Sequence, residues 1–158
     1  YKGAETDCTS AIDRNPYTEN YYALRGFCRV NLKNFEGAEQ DYVQSTKLNP
    51  TNRNSWHNRV LCQMELKAYE RADSSLDEVL HRWPKEDEGY TMKAQVRLAQ
   101  SDSVKAEEWI DRALQVDPYG GIAWSMKAMM VLNTKNTIAM ETNSLPKPVK
   151  TLSTALCV

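Results

Sequence analysis

Cysteine, histidine and the charged side chains are the residues from which a catalytic or metal centre would be built, and in this 158-residue chain their spacing builds neither. Cys8, Cys28, Cys62 and Cys157 form no CxxC and no short Cys/His spacing, which argues against a zinc site or a dense disulfide framework. His57 and His81 belong to no HExxH, and no GxSxG or GxxxxGK[ST] is present. No catalytic residue, metal ligand or cofactor is assigned, and the chain is not expected to be an enzyme. What recurs is charge. Arg25, Arg59, Lys93 and Lys127 stand 34 residues apart, and so do Asp7 and Asp41. Such a basic series either pairs internally, with Asp7 and Asp41 as partners for Arg25, or forms a positive ladder for an acidic peptide or a C-terminal carboxylate. Cys28 and Cys62 are also 34 apart, as buried small residues at equivalent places would be, and unpaired thiols lean weakly toward a reducing, cytoplasmic compartment.

The same interval governs the elements that must carry these charges. Prolines fall at 16, 50, 84 and 118; Tyr22, Trp56, Tyr90 and Trp124 form an aromatic series; Ala4, Ala38, Ala72 and Ala106 form an alanine series. Within each period, apolar positions at spacings of three and four predict two helices: Glu19–Leu32 with Phe35–Leu48, Arg53–Leu66 with Tyr69–Arg82, and Asp87–Gln100 with Ser103–Val116. A two-residue connection forces each pair into an antiparallel hairpin, and the proline stops the second helix. The alanines are placed where the two helices cross closely, and the aromatics fill the wedge on the other side. A lone hairpin cannot bury both apolar faces, so stacking completes the core.

These residues resemble the tetratricopeptide repeat (TPR) family. "YYALRGFCRVNLKNFEGAEQDYVQSTKLNP" is the best match, and "SWHNRVLCQMELKAYERADSSLDEVLHRWP" and "GYTMKAQVRLAQSDSVKAEEWIDRALQVDP" are variants. The resemblance implies an all-α, right-handed superhelical solenoid of antiparallel hairpins, whose concave face is lined by the first helix of each unit. The expected array spans residues 1–143: a half repeat 1–18, repeats 19–52, 53–86 and 87–120, and a partial repeat 121–143. Residues 144–158, with Pro146 and Pro148, read as an irregular tail. The opening stretch reads as a second helix without its first, so a fragment of a longer protein is expected. Basic residues replace the family's Leu at the four charged positions.

The resemblance implies protein or peptide partners. Helix geometry puts Asn20, Leu24, Phe27 and Asn31, then Asn54, His57, Asn58 and Leu61, on the stripe beside the buried one. Glu88, Met92 and Gln95 continue it, and Ile122, Met126 and Met129 end it. Amides can bond a peptide backbone and methionines adapt to varied partners; the competing reading is that Leu24, Leu61, Met92 and Met126 only complete the packing between helices. Some TPR domains hold an acidic chaperone tail in a carboxylate clamp. Here the corresponding places are Asn20, Leu24, Asn58, Glu88 and Met92, of which Asn58 alone fits. A net charge of -1 gives no case for nucleic acid, and no apolar run is long enough to span a bilayer. The expected function is a protein-interaction scaffold. The alternative is a structural spacer, or an array that self-associates through exposed end faces.

Overall fold

A computed structural model of the chain describes residues 1–144, and among these there are eight α-helices and no strand. They are α1 (Lys2–Arg14), α2 (Glu19–Asn31), α3 (Phe35–Leu48), α4 (Arg53–Glu65), α5 (Tyr69–Arg82), α6 (Asp87–Ala99), α7 (Ser103–Val116) and α8 (Gly121–Ser144). Each packs against the next, which makes a helical solenoid. Residues 145–158, including Cys157 and nearly all of the expected tail, lie outside the described residues; Ser144 ends α8.

The second helices α3, α5 and α7 begin and end where the sequence pattern places them, while α2, α4 and α6 stop one residue sooner. The cause is the turn. Lys33, Lys67 and Ser101 adopt φ of 62°, 54° and 63°, a left-handed conformation that ends a helix. Around each, the Schellman bonds close: Lys33 N–H reaches the Val30 carbonyl at 3.0 Å and Asn34 N–H reaches that of Arg29 at 2.9 Å, with the same pairs at Lys67/Met64, Ala68/Gln63, Ser101/Leu98 and Asp102/Arg97. Asn34 and Asp102 then cap the following helix, accepting from Gly37 N–H at 3.0 Å and Lys105 N–H at 3.1 Å.

The proline and aromatic series prove to be one device. Tyr22 Oη, Trp56 Nε1, Tyr90 Oη and Trp124 Nε1 each donate to the carbonyl of the proline six residues earlier, at 3.1, 3.0, 3.1 and 2.9 Å. The aromatic thus ties the start of one hairpin to the end of the last, which wedge-filling alone does not convey. Ala38, Ala72 and Ala106 are fully buried at the crossings, and Gly26 lets the Tyr42 ring lie where a Cβ would stand 3.1 Å from it. Ala4 is exposed, because no helix among the described residues precedes α1. Three buried clusters follow along the stack, around Tyr42 and Cys62, around Val60 and Leu76, and around Ala94 and Ile110.

Candidate binding surface

The first-helix stripe is only partly a surface. On α2 and α4, Leu24, Phe27 and Leu61 are 51%, 48% and 39% exposed. Asn20, Asn31 and Asn54 are exposed beside them, and Asn58 and His57 are half-buried. Further along, Glu88 and Gln95 are half-buried, whereas Ile122 and Met129 are open. Met92 and Met126 correct the expected surface: they are 4% and 9% exposed. Met92 packs with Val60, Ala72, Leu76 and Val96, and Met126 with Ala94, Ile110, Ala113 and Ala123. A long unbranched thioether fills the gap between hairpins, so for these two the packing alternative holds; Leu24 and Leu61 stay open. His57 Nδ1 lies 2.7 Å from Glu88 Oε1, and Arg53 pairs with both Glu86 and Glu88, so charge bridges α4 to α6 along this stripe.

The basic series points to the other side of the helices, and three of its four members are paired. Arg25 holds Asp41 with Nε at 3.0 and 3.2 Å and Nη2 at 2.7 Å, and reaches Thr9 in α1 instead of the expected Asp7. These bonds to Asp41 hold the Arg25 pKa above its ordinary value. Lys93 is 3% exposed and pairs with Asp73 at 3.0 Å and Asp77 at 2.6 Å; Lys127 pairs with Asp111. A parallel ladder escaped the sequence reading: Arg29–Glu5 at 2.8 Å, Gln63–Glu39 at 2.9 Å and Arg97–Asp73 at 2.7 Å each join a first helix to the second helix of the preceding unit. Its signal is in the sequence, since Glu5, Glu39 and Asp73 are themselves 34 apart.

Arg59 breaks the pattern. Among the described residues it has no ion pair and its buried Nε has no hydrogen-bond partner; its guanidinium lies 5.1 Å over the Trp56 ring. Burial pushes its pKa down. Among the described residues no three His, Cys, Asp or Glu side chains are placed to hold a metal, and no helix is long and apolar enough to cross a membrane.

Residues 19–52 match the family model of the tetratricopeptide repeat. No curated protein matches the chain. Among solved structures, the MamA RS-1 ArsTM double mutant superposes with a TM-score of 0.64 at 17% identity, over 74% of this chain and 66% of that one. The first TPR domain of the human RPAP3 protein gives 0.62 at 18% identity, over 83% of this chain and 100% of that one. The first TPR of Spaghetti (RPAP3) bound to the HSP90 peptide SRMEEVD gives 0.62 at 16% identity, over 74% and 93%. At such identities the likeness is one of fold. The chain spans a little under two thirds of the MamA structure's length.

Proposed function

We propose that this chain, which belongs to the tetratricopeptide repeat family, is a non-catalytic interaction scaffold that docks an apolar segment of a partner protein along the first-helix stripe of α2 and α4. The reading rests on one observation: Leu24, Phe27 and Leu61 stay exposed on consecutive hairpins and are flanked by Asn20, Asn31, Asn54 and Asn58. Burying those side chains stabilises a complex by roughly 25 cal/mol per Å² of apolar area, and the amides offer donors and acceptors to a peptide backbone. A stack already rigid in its free state loses little entropy on binding. The HSP90 peptide on the Spaghetti structure supports a peptide ligand for this fold. An acidic tail is disfavoured here, because Leu24 and Glu88 occupy places where the clamp needs polar or basic groups.

The test is a displayed peptide library selected on the chain. Peptides with apolar anchors should emerge, and Phe27→Asp and Leu61→Asp should each weaken them at least about tenfold, while Arg71→Ala, on the opposite side, leaves them unchanged. Binding indifferent to both stripe variants refutes the reading. A second reading, self-association, draws on α8, where Ile122, Trp124, Val131 and Leu132 are 60%, 52%, 48% and 59% exposed. Sedimentation showing a mass independent of concentration would remove it.

A further inference from the structure

One face of α8 is open where the matching faces of α4 and α6 are covered. On α4, Trp56 and Val60 are buried, and Val60 packs with Ala72 and Leu76 of α5, the second helix of its hairpin. On α6, Ala94 is fully buried with Ile110 and Ala113 of α7. The same register on α8 holds Trp124 and Ala128, and both are exposed, with Val131 one turn further on. At about 100° per residue these three lie within roughly 60° of arc, whereas Ile122 and Met129 lie about 140–160° round from Trp124, on the concave stripe. Among the described residues no helix stands beside α8 as α5 and α7 stand beside α4 and α6. Lys33, Lys67 and Ser101 turn the chain back, but α8 runs straight on through Lys135, the next place in that series, so residues 137–144 lengthen it instead of returning along it. Residues 145–158, wound as a helix, would reach back about 21 Å, while Trp124 lies about 30 Å from the end of α8.

The helix that fits this face is α1. Its first eight residues, YKGAETDC, repeat the FEGAEQDY that opens α3, with Gly, Ala, Glu and Asp in the same places. Toward the following helix, α1 does what α3 does: Glu5 bonds Arg29 as Glu39 bonds Gln63, and Cys8 is buried. On the other side it differs. Ala4 and Asp7 are exposed, whereas Ala38 and Asp41 are buried. Asp41 is held by Arg25, whose guanidinium also stands 5.7 Å from the centre of the Tyr22 ring. Asp7 has no ion pair among the described residues. The trio that receives Asp41 recurs on α8, with Trp124, Lys127 and Ala128 in the places of Tyr22, Arg25 and Gly26. Lys127 already holds Asp111, and Lys93 shows that a lysine at this place takes two carboxylates, Asp73 and Asp77.

We propose that α8 of one copy and α1 of a second copy pack as a hairpin, so that copies of this chain join head to tail and continue the stack; the inference rests on the self-association reading above. In that junction Ala4 crosses close to Ala128 as Ala72 does to Val60, and Asp7 meets Lys127 beside Trp124 as Asp41 meets Arg25 beside Tyr22. The apolar face open on α8 is then buried, and so is the small residue open on α1. The two surfaces differ, so the contact is heterologous: each added copy presents a fresh α1 or α8, and growth does not close at a dimer. A symmetric contact between two α8 helices would leave Ala4 and Asp7 uncovered and bring like charges toward each other.

Sedimentation velocity of the chain over a series of concentrations should give a mass that rises past that of a dimer. Ala4→Arg blocks the α1 side and Ala128→Arg the α8 side, and both replace side chains that are exposed in the free chain, so folding is kept. Each variant alone should raise the dissociation constant at least about tenfold. Mixed one to one, they retain one intact junction and should form a heterodimer that grows no further. Asp7→Lys, which sets two like charges together, should weaken association at least about threefold. A mass independent of concentration overturns this junction and the self-association reading together. A rising mass that Ala4→Arg leaves unchanged keeps self-association and overturns this junction; if Ala128→Arg then abolishes it, α8 meets α8. Two blocked variants that do not pair when mixed overturn the proposal as well. Leu61→Asp should leave the association unchanged, and a loss there would move the contact to the concave stripe and overturn it.

Discussion

Removing the charge of Asp41 should loosen the α2/α3 hairpin, because Asp41 on α3 holds Arg25 and Arg29 of α2. Asp41 is 2% exposed and accepts from both Arg25 and Arg29, the latter through Nη1 at 2.9 Å. Asp41→Asn keeps the shape but leaves one oxygen acceptor and turns an amide NH₂ toward a guanidinium. Arg29 retains Glu5 and the Gly37 carbonyl, while Arg25 retains Thr9 and the face of the Tyr22 ring. Breaking a buried pair costs about 3–5 kcal/mol, against about 0.2–1 kcal/mol for an exposed one. The two arginine side chains are 15% and 20% exposed, so water offsets part of the loss and about 2–4 kcal/mol is expected. In a stack stabilised by contacts between neighbours, that loss is local. Urea unfolding gives the total, and amide hydrogen exchange should show lost protection concentrated in α2 and α3, with α6 and α7 unchanged. Arg25→Leu combined with Asp41→Leu should cost less than Asp41→Asn, since Arg25 is then no longer left as a charge without its counter-ion, and Arg29 keeps Glu5 and the Gly37 carbonyl. A cost below about 1 kcal/mol for Asp41→Asn, with exchange unchanged, would show that the cluster behaves as an ordinary surface pair and refute the reasoning.

Two further outcomes are expected. Lys33→Gly and Lys67→Gly relieve left-handed strain at two hairpin turns and should each raise stability by about 0.5–1 kcal/mol; an unchanged or lower urea midpoint would show the turns to be unstrained. Burial pushes the Cys62 thiol from its ordinary value of 9.0 up to about 12 and pushes the Tyr42 phenol upward too. Both pKa values are raised on folding, so stability is intact below pH 9 and falls as the unfolded chain ionises above it, by up to about 1.4 kcal/mol per pH unit per group. Cys62→Ala should flatten the early part of that alkaline slope, and a slope identical to that of the parent chain would contradict the assignment.

Most of the fold could be read along the chain because its signals lie within a helix or its turn. Proline stops, close-packing alanines and apolar spacing place α3, α5 and α7 correctly, and repetition at 34 residues places each hairpin on the last. The left-handed residues at 33, 67 and 101 escaped notice because none is glycine, the usual mark of such a turn. Surface and interior were harder to separate. Leu24 and Met92 share one register, yet Leu24 is open and Met92 is enclosed by Val60 and Leu76 of the hairpin before it. Likewise Arg25 and Arg59 are the same kind of residue one repeat apart, and their difference lies in Asp41 and Ser75 on the facing helix. Local patterns specify the helices because hydrogen bonds and side-chain periodicity act over one or two turns. Exposure and charge balance arise between hairpins, where the residues that meet are brought together by the stacking itself.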